Sequence, residues 1–327
     1  MTFDEQPFVS IVTPLYNTEK YVGECIQSVL AQTYGNWEYV IVNNFSNDKS
    51  LEIVQQYSQK DKRIRIHNNA KFLNQFENWN HALRQISEKS KYCKIVHADD
   101  WLFSECIARM VEVAETKPSI GIVGAYRLDE DKINLSGLPN NKMLFSGRDI
   151  CRKTLLGDLY VFGSPSSLLL RSDLIRNRSK FYSESSIHAD KEVCFEILKN
   201  ADFGFVHQVL TYTRRHNDSV TSINRNLNTH KLGKIKIFKK YGAIFLNDKE
   251  YEVRLNKMID NYHRFLARSI FEIKNKKFWD YHRQGLKDIG IQISPLKLII
   301  GFLKETLDFK KSVKRIQAAI NLRRSEQ

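Results

Sequence analysis

The sequence contains few of the residues that mark several common classes of protein. Its cysteines are odd in number, widely spaced and form no C-x-x-C pair, so neither a disulfide framework nor a structural zinc site is expected. Reduced thiols in a cytosolic compartment fit this pattern best. The five are Cys25, Cys93, Cys106, Cys151 and Cys194.

Long apolar runs are also missing. No stretch approaches the roughly 18–20 consecutive apolar residues that a membrane-spanning helix needs. The N-terminal segment, MTFDEQPFVS, has neither a basic start nor a long apolar core, so we expect no secretory signal peptide. These absences predict a cytoplasmic protein.

Several glycine-rich and catalytic motifs are absent as well. No G-x-G-x-x-G follows the first predicted strand and no G-x-x-x-x-G-K-[ST] is present, so a Rossmann dinucleotide site and a P-loop have no support. The sequence also lacks G-x-S-x-G and H-E-x-x-H, the motifs of a nucleophile elbow and of a zinc protease helix.

The positive charge is abundant but uneven. The net charge is +14. Residues 226–327 hold 23 Lys and Arg against 10 Asp and Glu, a net of +13, so residues 1–225 carry only +1. Such a basic region attracts phosphate, in nucleic acid or on an anionic lipid surface. We expect no nucleic acid partner, because no recognition motif or aromatic stacking platform accompanies the charge.

Strand and helix signals alternate along the first part of the chain. Apolar runs such as FVSIV and YVIV predict buried strands, and segments between them, such as YVGECIQSVL, carry apolar residues at helical spacing. Asn17 or Thr18 is the expected cap of this first helix. A strand and a helix recur about every 25–30 residues, which is typical of the βαβ units that build a parallel sheet. The stretch NLSGLPNNKMLFSGRD predicts a loop.

The predicted strands end in polar residues. Their ends read TPLYN, NNFSND, HNNAKF and HADD. Parallel strands bring such ends to one edge of the sheet, where ligands of these folds bind.

Asp99 and Asp100, in KIVHADDWLF, are the sharpest local signal for chemistry. A hard divalent cation such as Mg²⁺ or Mn²⁺ prefers carboxylate oxygens, often only one or two of them, with phosphate oxygens completing its shell. The other interpretation of the pair is a solvated turn before a helix capped by Ser104.

An ordered set of motifs, VSIVTPLYN, CIQSVLAQTY, WEYVIVNNFSND, ENWNHAL and VHADD, resembles the family 2 glycosyltransferases across residues 8–103. Weaker similarity continues to about residue 221 through HADKEVCFEIL and LTYTRRHNDSVT. The resemblance implies an α/β protein of the GT-A fold, a Rossmann-like and mostly parallel sheet flanked by helices. It places the catalytic domain at residues 1–225, followed by a helical, basic region at 226–327.

The resemblance also implies the reaction and its partners. The expected activity is inverting, metal-dependent transfer of a sugar from a nucleoside-diphosphate sugar to a hydroxyl of a surface-glycan acceptor, either a polysaccharide or a lipid-linked glycan. Mn²⁺ or Mg²⁺ is the expected cofactor, with Asp100 as its ligand, and Asp99 would face the ribose. Pro14 and Tyr16 would hold the nucleobase and ribose, although Tyr16 also suits simple packing over the sheet edge.

One motif departs from the family. Family members usually carry two aspartates where this chain has Asn43 and Asn44, and the second normally accepts a hydrogen bond from the uracil base. The amide of Asn44 can accept or donate, so the identity of the donor base stays open. The alternative is that both asparagines only form a turn. Asn80 falls where the family has a polar helix start near the base.

The second half of the resemblance implies a catalytic base and groups near the diphosphate. Asp190 matches the family's base for the acceptor hydroxyl, with Glu192 as the second candidate; the alternative for Asp190 is a helix N-cap. His216 lies where similar enzymes have a loop near the diphosphate, as a metal or phosphate ligand, or else it is a surface residue. Arg214 and Arg215 would neutralise the diphosphate or form a solvated charge pair.

The basic C-terminal stretch from residue 294 alternates apolar clusters with lysines. A helix there suits the surface of an anionic membrane, at the cytoplasmic inner face where lipid-linked acceptors are found. The alternative is a helical subdomain whose lysines are only solvated. The apolar side would comprise Leu296, Ile299, Ile300, Leu303 and Leu307.

Two other functions remain open. One is a non-catalytic module that binds phosphate or membrane on the same fold through the basic region. The other is a nucleotidyltransferase, which shares the sheet and the use of a metal. That class usually needs a Gly-, Arg- and Lys-rich loop near the N-terminus, and TPLYNTEKY is not such a loop.

Overall fold

The computed structural model describes residues 6–215, 227–272 and 274–307, with side chains to residue 303. The chain divides into two compact units, Met1–Arg215 and His216–Gln327. Each unit has its own buried apolar core. Within the described ranges, no helix combines the length and the apolar character needed to cross a membrane.

The first unit is built on a mixed sheet. The described strands are β1 (Val9–Leu15), β2 (Trp37–Asn43), β3 (Ile64–Asn68), β4 (Tyr92–Ile95), β5 (Trp101–Leu102), β6 (Ile120–Asp129), β7 (Lys132–Asn134), β8 (Leu144–Phe145), β9 (Leu168–Arg171) and β10 (Asp202–Thr213). Their order is β3-β2-β1-β4-β9-β6-β10-β5, with β7 beside β6 and β8 beside β10.

Helices flank this sheet. They are α1 (Val22–Leu30), α2 (Ser50–Ser58), α3 (Gln75–Leu83), α4 (Cys106–Ala114), α5 (Gly147–Leu156), α6 (Ser172–Arg176) and α7 (Ala189–Leu198). A 3₁₀ turn at Pro165–Ser167 leads into β9.

The parallel half of the sheet agrees with the strand and helix alternation. β3, β2, β1 and β4 are parallel to one another. The residues of β1 and β2 are nearly all buried, because helices cover both faces, which is why these strands are continuous apolar runs. The predicted α/β fold with a mostly parallel sheet is confirmed.

The other half of the sheet departs from the simple alternation. β9 is antiparallel to both β4 and β6, while β10 is parallel to β6. β8 lies inside the stretch predicted as a loop and pairs with β10.

The predicted cap of α1 is wrong. The helix begins after Tyr21 and has no side-chain cap. The Asn17 side chain instead accepts a hydrogen bond from the Asn47 backbone N–H at 3.0 Å, and the Thr18 N–H donates to the Ser50 hydroxyl at 2.8 Å. These groups tie the loop after β1 to the loop after β2.

The second unit is helical, as predicted for the basic region. Its described helices are α8 (Thr229–Phe245), α9 (Asp248–Phe271), α10 (Lys276–Lys287) and α11 (Pro295–Leu307). α9 starts with a capping box, in which the Asn247 and Glu250 side chains each bond the other's backbone N–H. The unit's core comprises Leu232, Ile235, Tyr262, Leu266, Phe278 and Leu286.

Candidate active site

The turn that follows β4 carries three side chains with ligand atoms close together. The ligand atoms of His97, Asp99 and Asp100 lie within 4.8 Å of one another. The turn is closed by the Asp100 N–H, which donates to the His97 carbonyl at 2.9 Å. It is anchored below by the Ser166 hydroxyl, which accepts from the His97 N–H at 3.0 Å. The two acids therefore sit at a fixed point on the carboxyl edge of the sheet.

Asp100 carries an electrostatic penalty in this position. Only 3% of its surface is exposed, and burial together with the neighbouring Asp99 charge raises the pKa of Asp100 to about 7. The Ser166 hydroxyl, the Arg214 backbone N–H and the Arg127 charge oppose this rise. A buried carboxylate beside a second carboxylate creates a strong demand for positive charge.

The donor set fits a divalent cation. Asp99 and Asp100 supply hard oxygen ligands. The Nε2 atom of His97 is buried and has no hydrogen-bond partner among the described residues. Burial lowers the pKa of His97 below its ordinary value, which favours the neutral imidazole that binds metals. The ring is held against Trp79, with centroids 4.6 Å apart.

His97 was not predicted from the sequence. A signal was present, because a polar residue there interrupts an apolar strand one position before the Ala-Asp-Asp triplet. The indole ring of Trp79 packs against the imidazole of His97.

Asp190 lies on α7 as its second residue, inside the helix rather than at the N-cap, which is His188. The capping alternative for Asp190 is therefore wrong. Burial raises the pKa of the Asp190 carboxyl, and the charge of His97 opposes that rise. This mutual influence with His97 places Asp190 in the same electrostatic neighbourhood as the acids after β4.

Glu192, the second candidate base, accepts a hydrogen bond from the Ser186 hydroxyl. Burial raises the pKa of its neighbour Asp190, and a base for a hydroxyl works best when its pKa lies near the working pH. Asp190 is therefore the stronger candidate.

Arg214 lies against the acidic turn. Its backbone N–H donates to Asp100 Oδ1 at 3.2 Å, and its Nε donates to the Asp99 carbonyl at 3.3 Å. Its guanidinium also pairs with Glu24. Arg215 instead makes a two-pronged pair with Asp129, both bonds being 2.6 Å long. His216, the second predicted metal ligand, lies outside the described residues.

The predicted base-binding end of the sheet carries an aromatic pair. Tyr16 is 45% exposed and Phe72 is 55% exposed, and their ring centroids lie 5.0 Å apart. Pro14 pairs with Val42 in the parallel ladder between β1 and β2, one residue from the end of β1. The structure thus brings Tyr16 beside Phe72, which the sequence analysis did not single out.

The Asn44 side chain forms hydrogen bonds with the loop that carries Phe72. Its Nδ2 donates to the Leu73 carbonyl at 2.8 Å, and its Oδ1 accepts from the Leu73 N–H at 2.9 Å. The same oxygen accepts from Asn69 Nδ2 at 2.9 Å. A carboxylate could not donate to the Leu73 carbonyl, so this arrangement requires an amide at the position where relatives usually have an acid.

Asn80 has a comparable structural role. Its Nδ2 donates to the Tyr182 carbonyl and its Oδ1 accepts from the Tyr182 N–H, both at 2.8 Å. Asn80 is buried and so joins α3 to the segment that precedes α7. The structure therefore places it between the predicted base-binding half and the half that carries Asp190.

Comparisons with known proteins agree with this architecture. A family model described as Glycosyl transferase family 2 matches residues 10–177, and the chain belongs to this family of glycosyltransferases. It is 27% identical to glycosyltransferase GlyG of Streptococcus pneumoniae serotype 4, over 92% of this chain and 89% of that one. It is 35% identical to the uncharacterized glycosyltransferase EpsJ of Bacillus subtilis, over 38% of this chain and 36% of that one.

Two solved structures share the fold. Residues 1–349 of S. aureus TarS, solved with UDP-GlcNAc, superpose with a TM-score of 0.63 at 17% identity, over 98% of this chain and 93% of that one. The mannosyltransferase PcManGT from Pyrobaculum calidifontis, solved with GDP-Man and Mn²⁺, gives 0.54 at 13% identity, over 94% and 89%. At such identities the likeness concerns the fold alone, and the predicted GT-A fold is confirmed.

Restoring the usual acid at position 44 should destabilise the protein. In Asn44→Asp, the hydrogen bond to the Leu73 carbonyl is replaced by two facing oxygens, so we expect a loss of about 1–3 kcal/mol in the free energy of unfolding. Urea denaturation measures this, with Asn47→Asp, at an exposed position, as the control. A variant as stable as the wild type would contradict the assigned role of the amide.

Removing the Asp100 charge should change how stability depends on pH. The pKa of Asp100 is about 7 in the fold and about 4 in an unfolded chain. The fold therefore binds the Asp100 proton more tightly than the unfolded chain does, and this stabilises the fold. The stabilisation is full below pH 4 and is lost as the pH rises through 7. Without divalent cations, we therefore expect Asp100→Asn to gain stability over the wild type as the pH rises. The difference in the free energy of unfolding should change by on the order of 2–4 kcal/mol between pH 4 and pH 8.

Urea unfolding at pH 4, 6 and 8 in a chelating buffer tests this expectation. Asp131→Asn, at an exposed turn, serves as the control and should leave the pH profile unchanged. Parallel profiles for the wild type and Asp100→Asn would show that the Asp100 carboxyl carries no such penalty.

Proposed function

We propose that this glycosyltransferase transfers a sugar from a nucleoside-diphosphate sugar to a hydroxyl of a surface-glycan acceptor, with a divalent cation and inversion at the anomeric carbon. The observation that carries this proposal is the joint placement of the acids after β4 and of Asp190. His97 is electrostatically linked to both Asp99 and Asp190, so a cation site and a base share one region. The fold relatives were solved with UDP-GlcNAc and with GDP-Man and Mn²⁺, which supports this donor class.

Asp100 would hold Mn²⁺ or Mg²⁺ through its carboxylate, and Asp99 would face the ribose as the sequence predicts or share the ion, because the ligand atoms of His97, Asp99 and Asp100 lie within 4.8 Å of one another. A cation bound there supplies positive charge toward the pyrophosphate of the donor. Arg214 stabilises the geometry, because its backbone N–H and its Nε hold Asp100 and the Asp99 carbonyl in place.

Asp190 acts on the acceptor. Its carboxylate accepts the proton of the attacking hydroxyl, while the acceptor oxygen forms a bond to the anomeric carbon. The bond from that carbon to the diphosphate oxygen breaks, and the nucleoside diphosphate leaves with the bonding electrons. A single displacement of this kind inverts the anomeric centre, and burial of Asp190 brings its pKa nearer to the pH at which it works.

The exposed rings of Tyr16 and Phe72, which pack against each other, would offer a surface on which the donor base stacks. Stacking on aromatic rings accepts any nucleobase, so these rings supply affinity rather than choice of base. Asn44 contributes by holding Leu73 and so the position of Phe72, and Pro14 fixes the chain at the end of β1.

Substituting the two acids separates this proposal from a non-catalytic module that binds phosphate through its basic region. We expect Asp100→Ala and Asp190→Asn each to lower sugar transfer at least ~100-fold, because each loses a group used in the transition state. Asp190→Asn should still bind UDP with Mn²⁺ in a thermal-shift measurement, while Asp100→Ala should not.

Asp149→Asn is the matched control, because Asp149 is also an acid in the first turn of a helix and is exposed. It should transfer sugar as the wild type does. If both acid variants stay folded and keep full activity with a nucleotide-sugar donor, the catalytic assignment fails.

A membrane contact through the second unit is part of the proposal. One face of α11 is apolar and open, with Leu296 66%, Ile299 56% and Ile300 44% exposed. The opposite face is packed, since Gly301 is buried near Ala267 of α9. An apolar helix face in a region of net charge +13 complements an anionic lipid surface better than it complements water.

The vesicle assay uses the full chain. Cosedimentation with phosphatidylglycerol-containing vesicles should be at least tenfold weaker for the double variant Ile299→Glu/Ile300→Glu. The reason is that two negative charges would replace apolar side chains on the face that contacts the anionic lipid. Val253→Glu, at an isolated apolar position on α9 that is 63% exposed, should bind as the wild type does. Loss of a dimer in the double variant, with no vesicle binding by the wild type, would identify this face as a contact between copies instead.

A further inference from the structure

Lys94 lies in the middle of β4, with its side chain completely buried. β4 runs between β1 and β9, and apolar or small residues surround it in the core. A buried ammonium is costly unless its donors are satisfied. The presence of lysine in the otherwise apolar strand YCKI therefore calls for a physical reason.

The Lys94 ammonium is satisfied by carbonyl oxygens rather than by an acid. Its Nζ donates to the Ser166 carbonyl at 2.7 Å and to the Leu168 carbonyl at 3.2 Å, and it lies 3.6 Å from Met110 Sδ. Among the described residues, no carboxylate forms an ion pair with it. Ser166 lies in the 3₁₀ turn, and Leu168 is the first residue of β9.

Ser166 connects this lysine to the acidic turn. Its carbonyl oxygen is held by Lys94, while its hydroxyl accepts from the His97 N–H at 3.0 Å. The same hydroxyl also opposes the rise in the pKa of Asp100. One residue thus bonds the buried lysine through its carbonyl and the backbone of the candidate cation site, at His97, through its hydroxyl.

The backbone around Ser166 is tightly constrained, so a change at its carbonyl is transmitted to its hydroxyl. Gly163 has a φ of +65°, and a Cβ there would come within 2.7 Å of the Ser167 hydroxyl. The Ser167 N–H bonds the Ser164 carbonyl at 2.8 Å to close the turn. Within this narrow turn the carbonyl of Ser166 points at Lys94 while its side chain faces the acids.

We propose that Lys94 is a positioning residue for the cation site, acting through Ser166 on His97 and Asp100. This inference rests on the proposed function, because it assumes that the acids bind a divalent cation. Partners that orient metal ligands typically contribute a factor of 10–100 in metal affinity. A purely structural lysine would instead affect stability and leave metal affinity unchanged.

The experiment measures Mn²⁺ affinity in the presence of UDP, by electron paramagnetic resonance of free Mn²⁺, with the full chain. We expect Lys94→Met and Ser166→Ala each to weaken Mn²⁺ binding by about 10–100-fold. The double variant should bind no more weakly than the worse single variant, because both changes break one chain of contacts.

Two matched controls should keep wild-type affinity. Lys91→Met removes a nearby lysine that is half exposed and pairs with Glu115. Ser167→Ala removes a buried hydroxyl one position from Ser166.

The outcomes separate this inference from the proposed function. If the wild type binds Mn²⁺, Asp100→Ala does not, and Ser166→Ala and Lys94→Met stay within twofold of the wild type, the inference alone is wrong. If Lys94→Met does not fold, the Mn²⁺ affinity of Ser166→Ala decides, and a value within twofold of the wild type contradicts the inference. If the wild type fails to bind Mn²⁺ with UDP, both the cation site and the role of Lys94 are overturned.

Discussion

Two adjacent carboxylates at the end of a buried strand set the conditions that the rest of the site must meet. Repulsion between Asp99 and Asp100 and the loss of water both disfavour ionisation of Asp100. The surrounding protein offsets this only in part, with a hydroxyl from Ser166 and a backbone N–H from Arg214. The remaining negative charge is a source of instability in the free protein and of affinity for a cation. Active sites commonly trade stability for function in this way.

The asparagines after β2 belong to the same electrostatic arrangement. Where related enzymes usually carry acids, this chain has Asn43 and Asn44, whose amides bond Asn68 and the Leu73 backbone. An amide satisfies both a donor and an acceptor without adding charge. Asn43 and Asn44 therefore add no negative charge beside the acids after β4, and Asn44 supports the loop that carries Phe72.

The sequence predicted the features that depend on local pattern and missed those that depend on distant contacts. Continuous apolar runs and helical spacing indicated the parallel half of the sheet, and polar strand ends indicated its functional edge. The cap of α1 was wrong because Asn17 bonds a loop 30 residues away. The contacts between Lys94 and Ser166 span 72 residues, and β9, which follows Ser166, runs against the expected direction. No local pattern encodes such a pairing, whereas His97 was accessible as a polar break in the strand.

The environments of Asp100 and Asp190 give the two acids different roles although burial raises the pKa of both. Asp100 lies beside another carboxylate, and a divalent cation bound there would favour its ionised form. At Asp190 the rise in pKa comes from burial, and Lys191 and His97 oppose it. Under the proposed function, the work is divided between these two acids: Asp100 would hold the donor through the cation, and Asp190 would accept the proton of the acceptor hydroxyl.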